Sequence, residues 1–75
     1  MKSVQNFTAI IERENDGFVA LCPELDIASQ GNTVEEAKAN LQEAIELFLE
    51  HASKDEIVSR LKTDVFITNL QIAVA

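Results

Sequence analysis

This chain has little of several things. Its 75 residues contain one cysteine, one proline, two glycines, and no tryptophan or tyrosine. A single cysteine excludes an internal disulfide, and together with one histidine it cannot furnish a four-ligand structural zinc site. Basic residues are scarce as well: six Lys and Arg face thirteen Asp and Glu, for a net charge of −7 and a pI near 4.4. A nucleic-acid reader gains affinity by neutralising phosphates with cations, so this balance argues against direct DNA or RNA binding. The four phenylalanines, with few basic neighbours, do not make a base-stacking platform. No apolar run approaches the ~18 residues of a membrane span, and no basic segment followed by an apolar stretch opens the chain. The expectation is a cytoplasmic protein with no membrane contact.

What is present is enough for one folded domain, residues 1–75. Hydrophobic content of 47% with 25% charged residues is ordinary for a globular chain. A core this small supplies only ~3–5 kcal/mol by itself, and without disulfide or metal the missing stability is expected from a second copy or a bound partner. The acidic excess favours solubility and steers the chain toward a basic partner.

Phe7, Ala9 and Ile11 alternate with Thr8, Ile10 and Glu12, which predicts a first strand over 3–13, apolar on both faces and therefore central. Asn15-Asp16-Gly17 is a hairpin signal, because primed turns need residues that tolerate positive φ. Phe18–Cys22 is the returning strand. Pro23 cannot donate to a ladder and stops it. Leu25–Ser29 reads as a short third strand, closed by Gln30-Gly31-Asn32. Thr33 and Glu36 then fit a capping box, with Glu35 and Glu36 at the positive end of the helix dipole and His51 near its negative end. Val34, Ala37, Leu41, Ala44, Ile45, Phe48 and Ala52 form one apolar stripe of a helix over 33–52. Glu35, Lys38, Gln42, Glu43, Glu46 and Glu50 occupy its other face. Ser53, with Glu56 three residues on, caps a second short helix through Ile57, Val58 and Leu61. Asp64–Val74, rich in β-branched residues, reads as a final strand.

The predicted fold is α+β: a mainly antiparallel sheet of three to four strands with one main helix on one face, in the order β-β-β-α-β. A last strand beside the first would run parallel to it through a right-handed crossover. The sheet face away from the helix would still show apolar side chains, which favours a homodimer or higher homo-oligomer.

The order and spacing of Phe18, Cys22-Pro23-Glu24-Leu25, Gly31-Asn32-Thr33, Glu36-Ala37 and Leu41-Gln42-Glu43-Ala44-Ile45 resembles the N-terminal domain of HicB-like antitoxins. The resemblance covers residues 7–50, and the C-terminal segment is similar to that of short family members. It implies a partial ribonuclease-H-like fold that blocks a small basic HicA-type toxin, an RNA-cleaving protein with a double-stranded-RNA-binding-like fold and a catalytic histidine. Many relatives carry a further DNA-binding domain. This chain ends at Ala75 without room for one, so operator binding by it alone is not expected.

Other chemistries are weaker. Glu12, Asp16, Glu24, Asp26, Glu35, Glu36 and Asp64 are the carboxylates from which a two-metal nuclease would have to draw. Turn, capping and loop roles account for them. Cys22 reads as a packed core residue with no nearby base, and His51 as a helix-terminal cation. The expectation is therefore a binding protein without catalytic, cofactor or metal residues. The acidic toxin-contact candidates are Asp16, Glu24, Asp26, Glu43, Glu46 and Glu50. The competing readings are an orphan homo-oligomer of the same fold, a metal-dependent nuclease, and a co-regulator needing a separate DNA-binding subunit.

Overall fold

Asn15 turns the chain at φ 54, so that β1 (Ile10–Glu14) returns as β2 (Gly17–Cys22). The structure, a computed structural model, describes residues 4–75. Asparagine tolerates the left-handed region, and here it takes the strained position while Gly17 does not. Gly17 is needed for a different reason: a Cβ there would lie 2.8 Å from the Gly31 carbonyl oxygen. Pro23 ends β2 as the sequence predicts. The third strand, β3 (Ile27–Gly31), begins two residues later than expected, because Asp26 turns at φ 56 and Leu25 is fully buried in the loop. The sheet is antiparallel with order β1-β2-β3, so β2 is central. The first strand is an edge, not the central strand its two-sided pattern predicts, and its ladder takes up only 10–13 of the predicted 3–13.

Helix α1 (Val34–His51) starts at Thr33, whose Oγ1 accepts the Glu36 N–H at 3.0 Å. The Glu36 carboxylate accepts from the Asn32 N–H at 3.0 Å, one residue before the position a reciprocal box requires. The full box forms instead at α2 (Lys54–Arg60), where Ser53 and Glu56 each accept the other's backbone N–H.

The register of the pairs puts Ile11, Phe18, Ala20, Cys22, Ile27 and Ser29 on the face that meets α1. Ala37, Leu41 and Ile45 close onto it and complete the core with Ala20, Cys22 and Leu25. Val34, counted in the apolar stripe, lies 41% exposed at the first helical position, beyond the edge of the sheet. Gly31 permits the close approach of the layers, since a Cβ there would sit 2.6 Å from the Ala37 nitrogen. Asn40 Nδ2 donates to the Gln30 carbonyl at 2.7 Å and pins α1 to β3. Ile10, Val19 and Leu21 lie on the opposite face, half-buried and uncovered by helix.

The predicted strand over 64–74 does not form. Residues 62–75 carry neither helix nor ladder, because the free edge of β1 lies unpaired instead of receiving them as a parallel fourth strand. A strand needs a partner for its N–H and C=O groups, and β propensity alone supplies none. The fold is thus α+β, with a three-stranded sheet and the larger of two helices packed on one face.

Candidate functional site

The six acidic candidates divide into three environments. Glu24, half-buried in the loop after β2, is a structural clamp. Its carboxylate accepts the Thr8 N–H at 3.0 Å, the Thr8 hydroxyl, and the Cys22 thiol at 3.4 Å. Burial opposes ionisation, but the Thr8 donors outweigh it and hold the carboxyl below its ordinary 4.5. The clamp ties the segment before β1 to the loop at the far end of β2. No local pattern in the sequence marks this contact, which joins residues sixteen apart.

Asp16 and Asp26 are exposed at opposite ends of the sheet. Asp16 lies at the β1–β2 turn, beside a depression of about 470 Å³ that Glu14 and Glu36 also line. Asp26 sits in the β2–β3 turn, where its carbonyl accepts Arg60 Nη2 at 3.0 Å. The Lys62 N–H donates to the Glu24 carbonyl at 2.7 Å in the same loop. The structure therefore does not bring Asp16, Glu24 and Asp26 into one surface.

Glu43, Glu46 and Glu50 do form one. All three are exposed on α1, at helical positions opposite the Ala37-Leu41-Ile45 row, in an unbroken stripe down the outer face. The stripe extends over roughly 10 Å of helix axis at 1.5 Å per residue. Both arginines of the chain are engaged elsewhere: Arg13 lies 4.6 Å from the Phe18 ring centroid and Arg60 lies 5.1 Å from that of Phe48.

Beside the stripe runs a feature that sequence reasoning missed. α1 packs mainly on β3, less on β2 and only marginally on β1, so its β1 side is open. A groove of about 740 Å³ lies there between residues 4–9 and the helices, lined by Leu41, Ile45, Leu49, Ile57 and Leu61 with Glu46 at its margin. Leu49 was the available signal: it extends the row Ala37-Leu41-Ile45 by four residues yet falls outside the stripe that packs the sheet.

Cys22 is fully buried, and its thiol is pushed up from 9.0, first by burial and then by the neighbouring Glu24 carboxylate. It is a core residue, as its place before Pro23 predicts. His51 is exposed in the last turn of α1. Among the described residues, no group of three or more His, Cys, Asp and Glu gathers as a metal site. Nor is any described helix long and apolar enough to cross a membrane.

A UPF0150 protein of Helicobacter pylori is 40% identical to this chain over 68 residues, which cover 89% of the chain and 94% of that relative. The chain belongs to the UPF0150 family. Two UPF0150 proteins of Synechocystis are 49% and 50% identical over 51 and 50 residues, covering 65% and 64% of this chain and 65% and 69% of those relatives. No family model and no solved structure matches the chain. The surface of this UPF0150 chain carries a row of carboxylates with an apolar groove next to it.

Proposed function

We propose that this UPF0150 protein is an antitoxin of the HicB-like kind, which binds and blocks a small basic HicA-type toxin. The observation that carries the reading is the Glu43-Glu46-Glu50 stripe on a chain of net charge −7. A toxin that cleaves RNA must offer cations to phosphates, and a rigid row of carboxylates competes for the same cations. The resemblance of the hairpin, the Cys22-Pro23-Glu24-Leu25 corner and the capped helix to HicB-like domains supports it further. Such inhibition needs buried area and complementary charge, with no reactive group.

Tagged protein recovered from its native cells at moderate salt should bring down a small basic protein that cleaves RNA. One equivalent of the chain should stop that cleavage. Glu43→Lys with Glu46→Lys should slow association about tenfold or more at low salt, the range of electrostatic steering, with little change at high salt. Both residues are exposed, so the thermal melt of the free protein should hold. Cleavage that persists with excess chain would sink the antitoxin reading, and unchanged association rates at low salt would remove this helix face from it.

A further inference from the structure

Two segments of this chain have strand-forming sequences and no ladder: residues 4–9, just before β1, and residues 64–74. The second is the more anomalous. Phe66, Leu70, Ile72 and Val74 share one face of an extended chain and are 87%, 81%, 73% and 89% exposed. Asp64 is the one charge in residues 64–75. A long, flat, apolar segment of this kind is an aggregation hazard unless something pairs with it.

Size points to what covers it. A compact monomer of 8.3 kDa has an accessible surface of about 4,600 Å². This chain exposes 6438 Å², an excess of roughly 1,900 Å² over that expectation. A stable interface removes about 800 Å² from each partner, so the excess suffices for an obligate dimer. The radius of gyration is 14.6 Å, against about 11 Å for a compact 75-residue domain. Hydrogen bonding of the Lys62 N–H to the Glu24 carbonyl fixes the root of the tail, which leaves its own β1 edge and its own groove uncovered.

We propose that the C-terminal segment 64–74 of one copy forms the fourth strand of a second copy, pairing along the free edge of residues 4–14 and laying its Phe66-Leu70-Ile72-Val74 face into the groove beside α1. Each copy gives a tail and receives one, so the assembly closes as a two-fold dimer in which β1 is no longer an edge strand. One pairing supplies the ladder that both residues 4–9 and residues 64–74 lack. The groove floor of Leu41, Ile45, Leu49, Ile57 and Leu61 matches the tail in polarity, and Val65 and Ile67 would fall on the opposite face, the one that carries Ile10 and Leu21. This inference stands apart from the toxin reading, since it concerns only copies of this chain.

The test is light-scattering mass of the full chain at micromolar concentration, followed by isotope-filtered NOE spectroscopy on a mixture of labelled and unlabelled copies. Twice the 8.3 kDa chain mass is expected, with tail methyls of Leu70 and Ile72 contacting Leu41 and Ile45 only between unlike-labelled copies. Leu70→Lys with Ile72→Asp changes side chains exposed in the single chain, and it should weaken the dimer at least a hundredfold while far-UV circular dichroism keeps the helices. A monomer, with the tail either free or folded onto its own β1, would overturn the proposal. So would a dimer that shows no tail contacts between copies or that survives the double substitution.

Discussion

The two sides of α1 are built on different plans. Toward β3 the helix is fastened: Gly31 lets the backbones meet, Asn40 bonds to Gln30, and Ala37, Leu41 and Ile45 bury against Ala20, Cys22 and Leu25. Toward β1 the same helix leaves Leu49 at 36% exposure over an open groove. One side is a finished core and the other is an open apolar groove. A single helix supplies both because its apolar arc is wider than one three-stranded sheet can cover.

That contrast can be broken most forcefully at Leu41. It is 2% exposed, and Leu41→Ala should cost about 2–5 kcal/mol in urea unfolding, by lost transfer energy and a residual cavity. Leu49→Ala should cost under ~1 kcal/mol at dilute protein, because its side chain lies partly exposed over the open groove. If Leu49→Ala proved as costly as Leu41→Ala at high dilution, the two sides would not differ as described.

A middle-sized effect is expected at Glu24, which holds residues 4–9 to the body. Its carboxyl lies below its ordinary value in the folded chain, so its contribution is complete above the unfolded pKa near 4.5. The contribution fades as pH falls through the lower folded value. Glu24→Gln should cost on the order of 1 kcal/mol at pH 7, the net scale of one side-chain hydrogen bond, since the amide keeps an acceptor oxygen for Thr8. It should also flatten that acid limb in a series of melts from pH 7 to pH 3. An unchanged acid limb would mean that the Thr8 clamp does not hold in solution.

The smallest effect belongs to α2, which buries no residue completely. Ser53→Ala removes one half of its capping box and should cost about 0.5–1 kcal/mol of local stability. Amide exchange should show it as faster exchange over 54–60 with α1 unaffected.

Much of this architecture is legible along the chain. The 3.6-residue apolar stripe, Thr33 and Ser53 as caps, Asn15 at the hairpin and Pro23 as a stop are short-range signals, and each acts within four or five residues. The acidic stripe is equally legible, because helical periodicity alone aligns Glu43, Glu46 and Glu50. The Glu24 clamp is not legible, for the opposite reason: its partner Thr8 is sixteen residues away, and an acidic loop residue looks the same whether free or clamped. Leu25 reads as a strand residue because its apolar character says that it is buried, without saying that a loop buries it.

By itself, then, the sequence determined the two helices, the hairpin, the charge of the outer face and the composition of the core, since local sterics, capping and periodicity do not depend on distant partners. Only the tertiary structure decided that β1 is an edge, that Glu24 is a clamp, and that residues 64–74 stand apart as an unpaired apolar segment. A strand is completed by another strand, and no property of residues 64–74 taken alone determines which one will lie beside them.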